Sequence, residues 1–203
     1  MQLLDLPEPS APVLLRLQGE DRLSDEAYWD FCTANPDLRI ERTAEGEIVI
    51  VPPGGSESSY RNAEAAAQLG NWTKRDGRGK AFESSVQFFL PDGSALSPDA
   101  AWVSNESLNR FSKLQRKKFM HLVPEFIVEV MSPSDHLKQA KAKMEQWISN
   151  GVELGWLIDG DARTLYIYRR GHPVITRRRS STLSGEGPVK GFILELDSIW
   201  EGL

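Results

Sequence analysis

The sequence has one cysteine among 203 residues, three histidines, and a formal net charge of −5. Cys32 on its own cannot close an internal disulfide, which fits a reducing compartment, so a cytoplasmic location is expected. It lies in an amphipathic stretch where packing is its plainer role. His121, His136 and His172 are scattered, and with Cys32 they form no spacing that suits zinc. No apolar run approaches the length of about eighteen residues that a membrane span needs, so no membrane association is expected. The first ten residues have neither the basic region nor the apolar core of a signal peptide. The acidic balance gives no global attraction to nucleic acid, so any such contact must come from local patches. A nucleophilic triad has no support, because there is no Gly-x-Ser-x-Gly elbow or similar motif. Internal repeats and low-complexity segments are also lacking.

What remains is the composition of a soluble globular protein, with 40% hydrophobic and 26% charged residues, and a length that suits one domain over residues 1–203. Residues 1–20 are proline-rich and read as an irregular arm. Ser24 is an N-cap candidate followed by Asp25 and Glu26, and Asn35-Pro36 closes the helix it opens. Residues 38–42 and 47–51 alternate around Ala44-Glu45-Gly46 as a β-hairpin. After Pro52-Pro53-Gly54-Gly55 a helix is expected over residues 57–75. Two β-like runs follow at 80–82 and 86–90, then the Pro91-Asp92-Gly93 turn, and a strand beginning at Asp99 completes a meander. Residues 105–122 are polar, basic and partly helical. A strand at 126–130 leads into a helix over 133–150, closed by Asn150-Gly151, and a further strand lies at 152–159. The strand, helix, strand step predicts a parallel crossover. Hairpins or edge strands fill the rest. The fold class is α/β in the α+β sense, a mixed central sheet flanked by helices in the order helix, three-strand meander, helix, strand.

Two carboxylates stand out. Glu129 lies between Val128 and Val130, and Asp99 follows Ser97-Pro98 and enters Ala100, Ala101, Trp102 and Val103. A carboxylate in a buried strand is costly unless it is paired, protonated or bound to a cation. If the two strands pair in the right register, both acids share one face near the carboxyl end of a strand, where ligands of α/β sheets collect. Two carboxylates with open positions suit Mg²⁺ or Mn²⁺. Ser132 and Asp135 are most simply a helix cap, with Pro133 at the first helical position. Asp159, at the end of a strand, reads as turn chemistry.

Several strings carry a family resemblance: Ser97-Pro98-Asp99, Glu129-Val130-Met131-Ser132-Pro133-Ser134-Asp135, Leu137-Lys138, Lys143-Met144, and the run from Asn150-Gly151 through Trp156 to Asp159. With Gly54-Gly55, Glu57 and Gln68-Leu69, they resemble the Uma-two family, numerous in cyanobacteria and classed with endonucleases. The match spans roughly residues 38–196. That family is similar to restriction endonucleases of the PD-(D/E)xK fold, whose core has the element order found above.

The resemblance implies a metal-dependent hydrolase of phosphodiester bonds. The leading reading is a Mg²⁺-dependent nuclease acting on DNA, for which a homodimer, with two sites to address two strands, is one assembly the residues leave open. Asp99 and Glu129 match the metal-binding acids, with Val130 beside them among the metal-holding positions. A lysine would orient the attacking water or stabilise developing charge. Met131 occupies the place where restriction enzymes carry that lysine, two residues after Glu129 on the same strand face. The family pattern supplies it from the next helix, and Lys143 matches. Periodicity leaves Lys143 and Lys141 on either side of a buried stripe and does not choose between them. Glu57 matches an acid of the first core helix, with Glu64 as its rival and a favourable charge at a helix N-terminus as the plainer reading. Gln87, among apolar neighbours, reads first as a structural glutamine. Lys113, Arg116, Lys117 and Lys118, and Arg177, Arg178 and Arg179, are basic clusters that could meet a phosphate backbone, although such runs are usually solvated faces. The competing reading is a catalytically inactive protein of the same fold that binds nucleic acid or a protein partner.

Overall fold

The computed structural model describes residues 12–15, 22–133 and 135–203. Most of the N-terminal arm therefore lies outside the described residues. Within it, Val13–Leu15 forms a strand, β1, where an irregular segment was expected. Helix α1 (Asp25–Ala34) starts where the acids follow Ser24, whose hydroxyl accepts the Ala27 N–H at 3.1 Å. Strands β2 (Arg39–Arg42) and β3 (Ile48–Val51) form the expected hairpin, with Arg42 opposite Ile48. Helix α2 (Ser56–Asp76) ends at Gly77, whose φ of 75° supplies the left-handed stop that a Cβ would disfavour.

Strand β4 (Gly79–Glu83) is followed by β5 (Phe88–Phe89), β6 (Ala95–Leu96) and β7 (Ala100–Ser104). The short helix α3 (Asn105–Leu108) and a 3₁₀ turn at Gln115–Lys117 lead to β8 (Phe126–Val130). Then come α4 (Leu137–Ser149), β9 (Leu154–Asp159), β10 (Thr164–Arg169) and β11 (Ile175–Arg178). The chain closes with β12 (Thr182–Ser184), β13 (Ile193–Glu195) and α5 (Asp197–Glu201).

The principal sheet has six strands in the order β11-β10-β9-β8-β7-β4. β8 and β9 run parallel, as the crossover through α4 requires, and the other neighbours are antiparallel. Alternation along β8 decides which layer each residue meets. Val128 and Val130 pack with Ala65, Leu69 and Trp72 of α2, whereas Ile127 packs on the opposite face with Met144 and Trp147 of α4. Glu129 shares the α4 face with Ile127. Thus an otherwise apolar layer receives one carboxylate.

Two expectations need correction. The run at 86–90 does not join the meander. Its Phe88 and Phe89 pair with Leu96 and Ala95 across the Pro91-Asp92-Gly93 turn, and this hairpin enters a second sheet ordered β1-β3-β2-β6-β5. In the principal sheet β4 pairs with β7 directly, from Gly79 opposite Ser104 to Glu83 opposite Ala100. The tight turn satisfies the short run locally, leaving β4 free to reach the longer partner. The second correction concerns α4, which starts at Leu137 and not at Pro133. The Asp135 carboxylate accepts the Ser132 N–H at 2.8 Å, so these residues build a turn between β8 and the helix rather than its first turn. Ser134 lies outside the described residues.

Candidate active site

Asp99 sits one residue before β7. The β7–β8 ladder pairs Ala100 with Val128, and one further step of that register places Asp99 opposite Glu129. Both are buried, at 6% and 9% relative exposure. Asp99 is fixed at both oxygens: Oδ1 accepts from Asn62 Nδ2 of α2 at 2.8 Å, and Oδ2 accepts the Val130 N–H at 2.8 Å. Glu129 Oε1 accepts the Trp147 indole N–H at 2.9 Å and lies 3.1 Å from Lys143 Nζ.

Which of the two lysines of α4 lies near the acids follows from where the helix rests. Met144 is fully buried against the sheet, and at about 100° per residue Lys143 and Lys141 project to opposite sides of it. Lys143 falls on the β7–β8 side. Its ammonium is 3.1 Å from Glu41 Oε1, 3.1 Å from Glu129 Oε1, and donates to the Ser97 carbonyl at 3.0 Å. Lys141 falls on the β10 side, over the Tyr166 ring at 4.3 Å. Met131 is packed against the apolar cluster of α4.

Two residues that the sequence did not single out join this group. Glu41 of β2 is buried, and its Oε1 also accepts the Ser97 N–H at 3.1 Å. Arg39, two residues earlier on the same strand face, brings a guanidinium nitrogen to 3.7 Å from Asp99 Oδ1, and its side chain is 37% exposed. The signal for them lies in β3. Ile48-Val49-Ile50-Val51 is apolar at every position, with Ile48 buried and the other three half-buried, so neither face of the hairpin is marked as the solvent side and neither charge of β2 could be assumed to face solvent. Gln87 supports the site from behind, donating to the Ile40 carbonyl at 2.7 Å and approaching Ser97 Oγ at 3.4 Å.

Glu57 and Glu64 are not brought to this cluster. Glu57 pairs with Arg61 at 2.8 Å and accepts the Leu203 N–H at 3.1 Å, and Glu64 accepts the Ser198 hydroxyl at 3.0 Å. On α2 both lie about 140–160° around the axis from Asn62, the residue that does reach Asp99. Glu57→Gln is therefore expected to lower stability by about 1 kcal/mol, through the weakened Arg61 pair, and to leave divalent-ion binding unchanged in calorimetry. Asp159 accepts the Ala162 N–H at 2.9 Å, as turn chemistry requires.

Burial raises the Glu129 carboxyl to about 7, against the pull of Lys143 and with the help of Asp99 and Glu41. Burial likewise raises Asp99, opposed by the Val130 N–H, Arg39 and Lys143. For Lys143 burial works against the ammonium, but Glu129 and Glu41 outweigh it and hold the group charged above its usual range. Among the described residues no three Asp, Glu, His or Cys side chains are grouped to hold an ion as they stand, and the Lys143 ammonium lies 3.1 Å from both Glu41 and Glu129. The donor chemistry nevertheless fits a hard divalent ion. It consists of carboxylate oxygens without thiol or imidazole, and the buried amide oxygens of Asn62 and Gln87 have no hydrogen-bond partner.

A family model described as "Putative restriction endonuclease", Uma2, matches residues 25–197. The chain belongs to the Uma2 family. No curated protein matches it. Among solved structures, one described as a putative nuclease belonging to DUF820 from Anabaena variabilis ATCC 29413 superposes with a TM-score of 0.68 at 18% identity. It covers 81% of this chain and 91% of its own. The Uma2 chain thus has a restriction-endonuclease-like core, in which the α2, β4-β7-β8, α4, β9 order carries Glu129 on β8 and Asp99 just before the neighbouring β7. Among the described residues no helix is long and apolar enough to cross a membrane.

Proposed function

We propose that this Uma2 protein is a metal-dependent endonuclease that hydrolyses phosphodiester bonds of DNA. The observation that carries the reading is the juxtaposition of two buried carboxylates, Asp99 and Glu129, with the Lys143 ammonium 3.1 Å from the second. Asp99, Glu129 and the Val130 carbonyl would hold Mg²⁺ or Mn²⁺, which supplies the charge that polarises a phosphate and acidifies a bound water. Asn62 and the Val130 N–H keep Asp99 oriented, and the Val130 N–H opposes the rise that burial imposes on its carboxyl. Trp147 fixes the rotamer of Glu129. Lys143, held charged, stabilises the negative charge that builds on phosphate oxygens and orients the attacking water. Arg39, the half-exposed cation beside Asp99, faces the phosphate from the solvent side. Glu41 anchors the Ser97 segment and shares Lys143, so the ammonium stays positioned when Glu129 turns to another cation.

The second reading, a non-catalytic binding protein of the same fold, is favoured by one feature: Lys143 already neutralises part of the acid cluster. Plasmid nicking separates the two. Cleavage is expected in Mg²⁺ or Mn²⁺ and not in EDTA, and Asp99→Ala should remove it. Cleavage that survives Asp99→Ala would sink the assigned site, and no cleavage together with no heat of metal binding would favour the binding protein.

The raised Glu129 carboxyl sets the pH dependence. A proton must leave Glu129 before its oxygens can serve a cation, so Mn²⁺ affinity measured by calorimetry is expected to rise about tenfold per pH unit below the raised value of about 7 and to level off above it. Lys143, Asp99 and Glu41 are the charged groups that act on it. A flat profile between pH 5.5 and 8 would show that Glu129 is not a ligand.

A further inference from the structure

The end of the principal sheet that carries the acid cluster also carries four arginines. Arg177 and Arg178 end β11, opposite Leu165 and Thr164 of β10. Those residues face Ile158 and Asp159 of β9, and Ile158 faces Val130. Arg177 therefore stands in the row of Val130, three strands away at about 14 Å for strand spacings near 4.8 Å. Like Val130 and Leu165 it lies on the α2 face, whereas Arg178, in the row of Thr164, lies on the α4 face that carries Glu129. Arg163 and Arg179 flank this corner and are joined by the Arg179 N–H donating to the Arg163 carbonyl at 2.9 Å. Their φ values are 48° and 50°, and among the described residues no other non-glycine residue has a positive φ. Such a left-handed position favours glycine or asparagine, so turn geometry does not account for arginine at both.

All four arginines are exposed, and among the described residues none of them forms an ion pair. Arg42, Arg61, Arg78, Arg110 and Arg169 each pair with a carboxylate, and Arg22, Arg75, Arg116 and Arg170, which like the four have no ion pair among the described residues, do not form such a cluster. The acids nearest in sequence are engaged elsewhere, Asp159 by the Ala162 N–H and Asp161 by Arg61. Lys141, over Tyr166 of β10, adds a cation on the α4 face, which Arg178 shares. The other basic cluster differs: Arg116 donates to the Phe111 carbonyl and Lys118 approaches Glu26. In a chain of net charge −5, four unpaired guanidinium groups at one corner form a local field that the whole molecule lacks.

We propose that Arg163, Arg177, Arg178 and Arg179, with Lys141, form a binding surface for the phosphate backbone of duplex DNA, gripping the flank of the strand presented to Asp99 and Glu129. This rests on the nuclease reading for its geometry but is tested apart from it. Binding of a labelled DNA duplex is followed by fluorescence anisotropy in EDTA over a range of KCl, with the full chain. The variants are Arg163→Gly/Arg179→Gly, which suits both left-handed positions, and Arg177→Gln/Arg178→Gln. Each pair is expected to weaken binding about tenfold or more and to lower the log–log salt slope by about one to two, at roughly 0.9 for each phosphate no longer neutralised. Arg110→Ala, which removes an exposed cation paired with Glu106, should change neither. Wild-type affinity and slope in both pairs would overturn the proposal, as would tighter binding of an RNA duplex or no binding by the wild type at low salt. A wild type that binds with these losses but never cleaves leaves the surface standing and removes the nuclease reading. A wild type that cleaves while both pairs bind normally does the reverse.

Discussion

Lys143→Ala is expected to lower DNA cleavage about a hundred- to thousandfold, the usual scale for losing a preorganised charge at a reacting phosphate. It should also destabilise the fold by about 2–4 kcal/mol at pH 8, because removing one partner of a buried ion pair leaves the other charge uncompensated. Two carboxylates depend on this ammonium, Glu41 and Glu129, each 3.1 Å away. The loss should depend on pH in a set direction. Glu129 titrates near 7 in the fold against an ordinary 4.5, so the folded state holds its proton more firmly than the unfolded state. Stability therefore falls as pH rises between those values. Without Lys143 the folded value moves higher and the falling limb extends further. Thermal melts at pH 5.5 and 8 should show the variant closer to wild type at the lower pH. Lys141→Ala, which removes only the cation over Tyr166, should cost less than about 1 kcal/mol at either pH. Equal losses for the two variants would mean that α4 is rotated from the orientation found.

The rotation of α4 illustrates how far the sequence could be read. The apolar stripe identified the buried side of the helix, and Met144 lies on it. Lys141 and Lys143 border that stripe symmetrically, so the one that reaches the acids depends on which strand the helix crosses. Local periodicity does not carry that information. The parallel pairing of β8 and β9 was legible, because a strand, helix, strand step has few solutions. The facing of Asp99 and Glu129 was legible only as a condition on register, and the Ala100–Val128 pair meets it.

What could not be read was brought by long-range packing. Glu41 and Arg39 belong to a hairpin in a different sheet, and they reach the site because β6 pairs with β2 through Arg42 and Ala95. In an alternating strand a charge at every second position normally faces water, and only the uniformly apolar β3 hinted otherwise. The run at 86–90 departs from the expected meander for a related reason. Its residues suit a strand in either sheet, and the turn at Gly93, with φ 86°, decides for the nearer partner. Glu57 has the favoured place at the start of α2, but helical geometry turns it toward Arg61 and leaves Asn62 facing Asp99.

The two acids should respond differently to the same chemical change, although both substitutions should abolish cleavage by about a thousandfold or more if both hold the metal. Glu129→Gln is expected to raise stability by about 1 kcal/mol at pH 8, since relieving strain at an active site often stabilises a fold. The cluster contains three carboxylates (Glu41, Asp99, Glu129) and two cations (Arg39, Lys143), so one negative charge is in excess in a buried place. A glutamine keeps an oxygen for the Trp147 N–H, removes the excess charge, and removes the fall in stability with rising pH. Asp99→Asn cannot be so accommodated. Both Asp99 oxygens accept hydrogen bonds, from Asn62 and from Val130, so an asparagine that keeps its oxygen on the Val130 N–H must turn its NH₂ to Asn62. The Asn62 amide then has to turn over and leave its NH₂ buried where its unpartnered oxygen now stands. A buried donor is left unsatisfied, at a cost of about 1–3 kcal/mol. Chemical denaturation of both variants therefore tests the geometry without any activity measurement. Opposite signs support two carboxylates in distinct settings, one in a cluster with excess negative charge and one locked by hydrogen bonds at both oxygens, whereas equal destabilisation would show that Glu129 is as fully bonded as Asp99.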